Sequence, residues 1–146
     1  MSARALLFRC LLLGSTALGW ATGCAPAEPP APAIEEARFK YPLPGKTVSA
    51  GYFNLRNPTA APLVLTGVQA DIGSSVEIHR TIRSGDQVRM ERLTTLTVEP
   101  GSTLRFEPGS YHLMLFGLDR LPAQTTVTLE FADGRRASGT FAAEPW

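Results

Sequence analysis

From about Phe39 to the end of the chain, apolar and polar residues alternate in short runs, and turn residues separate one run from the next. Period-two alternation of this kind is the signature of strands with one buried face. Eight stretches qualify: residues 50–55, 63–68, 76–81, 87–92, 103–106, 112–116, 125–131 and 136–141. The breaks between them are rich in turn formers, among them Asn57-Pro58, Ser84-Gly85-Asp86, Glu99-Pro100-Gly101, Glu107-Pro108-Gly109 and Asp133-Gly134. Ser84-Gly85-Asp86 and Asp133-Gly134 read as hairpin turns. No stretch repeats its apolar positions at a helical interval over three turns. The expected fold is all-β, a Greek-key antiparallel β-sandwich of seven to nine short strands.

The same alternation says which way particular side chains point. Val76 and Ile78 share one face of their strand, which leaves His79 on the other with Glu77 and Thr81. In the run 112–116, Leu113 and Leu115 form the core face, and His112, Met114 and Phe116 lie opposite. Residues two apart in a strand are separated by about 6.5–7 Å, so His112 and Met114 can reach a common point. Any site they build is expected at the rim of the sandwich rather than in its core.

The N-terminal segment has a different texture. Arg4 and Arg9 precede an apolar run over residues 11–20, and small residues 21–23 lead to Cys24. Residues 1–23 read as a secretory signal peptide, and the apolar run is short of the roughly 20 residues of a membrane span. Cys24 at the cleavage point resembles the acylated cysteine of bacterial lipoproteins, although Ala21 stands where such signals usually carry Leu. Acylation of Cys24 and cleavage nearby by the ordinary signal peptidase are the two open fates. Ala25, not aspartate, follows the cysteine, which favours outer-membrane sorting. Residues 24–38 contain four prolines and five alanines and read as an extended tether, so that 39–146 would form the folded domain. Loss of residues 1–23 takes the basic count from 14 to 12 against 13 acids. A net charge near −1 argues against a nucleic-acid partner. The expected place is periplasmic or otherwise extracytoplasmic, with the membrane reached only through the lipid.

Candidate chemistry comes from scarcity. After the signal the chain holds two histidines and two methionines, His79, Met90, His112 and Met114. Each alone has an ordinary reading, a solvated imidazole or a core-filling thioether. Together they form a donor set suited to Cu(I), because thioethers favour that soft ion and zinc prefers thiolate, imidazole or carboxylate. Thioether also suits an oxidising compartment, where thiols are lost to disulfides. Being neutral, it needs no deprotonation before binding.

The segment from His79 to Met114 matches the pattern His-x10-Met-x21-His-x-Met of the periplasmic copper-A chaperone family, PCu(A)C. The flanks resemble that family too: AGYFNLRNP at 50–58, VEIHRTI at 76–82, VRM at 88–90 and GSYHLMLFGL at 109–118. The likeness spans residues 47–141. It implies a cupredoxin-like sandwich that binds Cu(I) through these four residues. It further implies delivery of copper toward the copper-A centre of cytochrome c oxidase, by transient contact of a monomer with subunit II or its assembly factors. Two departures stand out. Arg80 occupies the place where many members carry a second methionine, and its parity points it away from the four donors. The C-terminal residues 141–146 lack the His- and Met-rich tail of some members, so no second copper site is expected.

Nothing in the chain suggests an enzyme. His-Glu-x-x-His, Gly-x-Ser-x-Gly and phosphate-cradling glycine loops are absent. A blue-copper electron carrier needs a cysteine ligand, and the domain has none. A copper-buffering or resistance lipoprotein without a dedicated acceptor would use the same four donors, and a metal-free envelope-interaction module would use none. Tyr111, Phe116 and Phe106 are candidates to shield the metal, with sheet packing the plainer role. Glu77 and Arg80 are candidates to orient His79, with ordinary solvation as the alternative.

Overall fold

A computed structural model describes residues 30–146 apart from Ser74, Asp119 and Leu121. The signal segment 1–23, Cys24 and the first part of the tether lie outside the described residues. Ten strands follow one another: β1 (Ala33–Lys40), β2 (Ser49–Arg56), β3 (Leu63–Ala70), β4 (Ser75–Ser84), β5 (Gln87–Leu93), β6 (Leu96–Val98), β7 (Thr103–Phe106), β8 (Tyr111–Phe116), β9 (Gln124–Phe131) and β10 (Arg136–Glu144). No helix occurs among the described residues. The strands form one sheet in the order β5-β4-β8-β7-β2-β1-β10-β9-β3-β6, with β8 also paired to β2. The sheet curls until β3 comes back against β4. The all-β expectation holds, and every one of the eight anticipated strands is present.

Two strands were not anticipated. β1 lies largely inside the stretch expected to be an extended tether, so the folded domain begins at Ala33 rather than Phe39. The physical reason is pairing: β1 runs antiparallel to β2 and parallel to β10, and it buries Phe39 against Phe141 with ring centroids 4.8 Å apart. A bulge between Glu35 and Arg38, with Glu36 at φ 54°, re-aims the strand so that both pairings are made. β6 is only three residues long and owes its existence to β3, against which Leu63 pairs with Val98. The sheet is also not purely antiparallel, since β1–β10 and β7–β8 are parallel contacts.

The core fills the inside of the curl. Phe53 stacks on Phe106 at 4.1 Å and meets Phe141 edge-on at 5.4 Å. Leu55, Leu63, Leu65, Leu113, Leu115, Val127 and Leu129 complete it, all fully buried. Each such side chain contributes about 1.5–3 kcal/mol relative to exposure. Ile78 is buried and Val76 half-buried, as their parity required. Gly51 is needed where β2 crosses Phe39, because a Cβ there would sit 2.7 Å from the ring. Asn57 closes the turn after β2. Its side chain donates to the carbonyls of Ala61, Val98 and Glu99 and accepts from the Thr59 amide and hydroxyl.

Candidate metal centre

Three neighbouring strands, β5, β4 and β8, carry the four donors. In an antiparallel pair, residues directly opposite share a face. His79 is opposite His112, Glu77 is opposite Met114, and Thr81 is opposite Met90. All four donors therefore lie on one face: His79 and His112 are directly opposite, Met114 is two residues from His112, and Met90 is diagonal to His79, opposite Thr81. The hairpin joining β4 to β5 sets this register. Ser84 pairs with Gln87 across a two-residue loop, and Gly85 at φ 58° supplies the first central residue of a II′-type turn. A slip of one residue would send Met90 to the opposite face.

The face is not a bare rim. His112 is only 3% exposed, although it points away from Leu113 and Leu115. The segment after β1 and the end of the chain rise over it. Leu118 N–H donates to the Thr47 carbonyl at 3.0 Å, and Trp146 Nε1–H donates to the Tyr41 carbonyl at 2.6 Å. The result is a cavity of about 360 Å³ with Met90, His112 and Met114 in its walls, beside Leu43, Val48, Tyr52, Pro108 and Trp146. Among the described residues Lys46 is its one charged lining side chain, and no Asp or Glu lines it. Met90 is 58% exposed, so the site runs from a buried imidazole outward to an open thioether. His79 does not line this cavity, but its ring lies 5.9 Å from that of His112, which does. Metal–imidazole bonds of about 2 Å allow one ion to bridge rings at such a separation.

Hydrogen bonds decide which ring nitrogen is available. His112 Nδ1 lies 3.2 Å from the Ser110 carbonyl, which can only accept, so Nδ1 carries the proton and Nε2 the lone pair. His79 Nε2 lies 2.8 Å from Glu77 Oε2. Both remaining nitrogens, His79 Nδ1 and His112 Nε2, are buried without a hydrogen-bond partner. Burial holds the His112 imidazolium below its ordinary range, the neighbouring His79 ring acts in the same sense, and the Ser110 bond opposes them. A neutral imidazole with a bare lone pair is the state that binds metal. Among the described residues no group of three or more His, Cys, Asp or Glu could hold an ion. Those residues alone therefore build no zinc or calcium centre of the usual oxygen- or thiolate-rich kind.

The other candidate residues separate cleanly. Phe106 and Tyr111 belong to the interior packing, with ring centroids 6.0 Å apart. Phe116 is on the donor face, 6.4 Å from His79. Arg80 does not orient His79: it points to the opposite face and pairs with Glu91 at 2.7 Å. Glu77 does contact His79, and Arg92 in turn reaches Glu77 Oε1 at 3.3 Å. Sequence alternation could place Glu77 beside His79, but Arg92 became visible only through the β4–β5 register.

The family model described as "Putative lipoprotein LpqE-like" matches residues 32–143. "Putative lipoprotein Lxx21020" of Leifsonia xyli subsp. xyli (strain CTCB07) is 28% identical over 141 residues, covering 88% of this chain and 84% of that protein. Among solved structures, the copper-bound PCuAC domain from PmoF2 superposes with a TM-score of 0.63 at 24% identity, over 77% of this chain and 92% of that one. The Cu(I) form of DR1885 from Deinococcus radiodurans gives 0.58 at 25% identity, over 76% and 78%. Matched over most of its length, and folded as PCuAC domains are, the chain belongs to the LpqE-like lipoprotein family.

Proposed function

We propose that this protein is an extracytoplasmic, lipid-anchored Cu(I) chaperone whose ligands are His79, Met90, His112 and Met114. One observation carries the reading: two imidazoles whose free nitrogens are buried and unpartnered stand on the same sheet face as the only two thioethers of the described residues. Two neutral imidazoles and two neutral thioethers would leave the bound site at a net charge of +1. A mostly apolar cavity, with no Asp or Glu among its described lining residues, tolerates a soft monovalent ion better than a hard divalent one. The copper-bound PCuAC domain from PmoF2 and the Cu(I) form of DR1885, both similar in fold, support the same cargo.

The gradient of exposure gives the hand-off a direction. Met90 is the accessible ligand, so an incoming thiolate displaces it first, and the buried His112 releases the ion last. Thiolates hold Cu(I) more firmly than thioethers, so transfer to a dithiolate acceptor runs downhill without a redox step. The copper-A centre of cytochrome c oxidase subunit II is the acceptor this reading names. Cys24, acylated, would hold the domain at the membrane through the residues before β1.

Anaerobic titration should find one Cu(I) per chain, with sulfur among its neighbours in the X-ray absorption spectrum. Replacing both Met90 and Met114 by Leu should weaken binding by more than the roughly 10–100-fold that loss of an outer hydrogen-bond partner costs a metal site. A spectrum containing only nitrogen and oxygen neighbours would rule out the ligand set. Loaded protein should then metallate a purified subunit II fragment. Retention of copper by the loaded protein would leave the ligands standing but favour a buffering role.

A further inference from the structure

We propose that Glu77, itself held by Arg92, is a positioning residue that fixes the ring of His79, so that the two imidazoles present different nitrogens to the metal: Nδ1 from His79 and Nε2 from His112. The inference rests on the copper-binding reading above, but its main evidence is in the metal-free chain. Glu77 and His79 lie two apart on one face of β4, and Oε2 is 2.8 Å from Nε2. An ionised carboxylate only accepts, so the proton resides on Nε2 and the lone pair on Nδ1. Nδ1 is the nitrogen found buried without a partner.

The carboxylate is not free to swing away. Arg92 stands directly opposite His79 on β5 and engages the other oxygen, Oε1, at 3.3 Å. Both oxygens of Glu77 are thus committed, one to each neighbour. Arg92 is 65% exposed while Glu77 is 22% and His79 14% exposed, so the chain of contacts runs from solvent inward to the ring. His112 is oriented by a different device, the main-chain carbonyl of Ser110, which no side-chain substitution removes. Of the two imidazoles, His79 alone depends on a replaceable partner. A carboxylate behind a ligating imidazole also raises its basicity, which strengthens the bond to the metal.

The test begins without copper. Long-range ¹H–¹⁵N correlation on labelled full-length protein should show His79 protonated at Nε2 and His112 protonated at Nδ1. In Glu77→Ala the His79 signals should move to a mixture of tautomers, while those of His112 stay put and certify the fold. Cu(I) affinity, measured by competition with a chromophoric chelator, should fall about 10–100-fold. Glu77→Gln keeps an amide oxygen that accepts from Nε2–H, so it should restore the tautomer and most of the affinity. The proposal is overturned if wild-type His79 carries its proton on Nδ1, or if Glu77→Ala preserves both the tautomer and an affinity within about twofold of wild type, far inside the expected loss. Wild-type protein that takes up no Cu(I) would sink the copper reading instead, and the tautomer result would still decide the role of Glu77.

Discussion

His112 is kept at a cost. A buried polar atom without a partner destabilises a fold by about 1–3 kcal/mol, and Nε2 of His112 is such an atom in the metal-free chain. A cation bound there, as proposed, would relieve the penalty. The same burial has a consequence for acid stability. Because burial lowers the folded-state value of His112 from 6.5, the unfolded chain accepts a proton that the folded chain refuses. The contribution is therefore complete above pH 6.5 and is lost as the pH falls from there toward the lowered folded value. Thermal melts of the copper-free domain should show the midpoint dropping over that window. In His112→Asn the drop should be shallower, which separates this group from the carboxylates that titrate lower.

At the scale of elements, the β4–β5 hairpin decides whether Met90 belongs to the site at all. Its turn needs a left-handed residue at position 85, and any side chain there is strained by about 1–2 kcal/mol. Gly85→Ala should lower the thermal midpoint modestly and weaken Cu(I) binding, while the imidazole pair between β4 and β8 stays in register. Unchanged affinity in that variant, measured by chelator competition, would mean that Met90 does not depend on the hairpin. A second element-scale device is Asn57, whose side chain ties the turn after β2 to the end of β6. Asn57→Ala takes a donor from the buried Val98 carbonyl and the acceptor from the Thr59 amide and hydroxyl, and should cost about 1–3 kcal/mol in denaturant unfolding without touching His79, Met90, His112 or Met114.

For the whole molecule, the distribution of burial implies unequal stability. β5 is the terminal strand of the sheet, and its side chains are mostly exposed, whereas β2, β8 and β9 contribute the fully buried core. Regions with few buried contacts open most readily. A Cu(I) ion shared by β5, β4 and β8 would pin that edge. Hydrogen exchange with and without the metal should thus show the largest gain in protection in Gln87–Leu93 and little change in Gln124–Phe131. Ligand linkage predicts a global gain of about 2.7 kcal/mol at free Cu(I) a hundredfold above the dissociation constant. Equal protection of all strands would mean that the ion does not bridge the edge.

Local regularities were enough to read most of this molecule from its residues. Alternation announced eight of the ten strands, because a half-buried strand writes its own period into the chain. Parity put His79, Met114 and His112 on faces that the sheet then joined, since side-chain direction in a strand depends only on odd or even position. What escaped was everything that depends on distant partners. β1 looked like tether because its proline-rich approach masked the few apolar residues, and only its pairing with β2 and β10 makes it a strand. His112 looked solvent-facing because alternation distinguishes two faces but cannot say that a remote segment covers one of them. The partners of the two imidazoles are local, each two residues upstream, but alternation gives only the face and not the carboxylate and carbonyl distances that select the nitrogen.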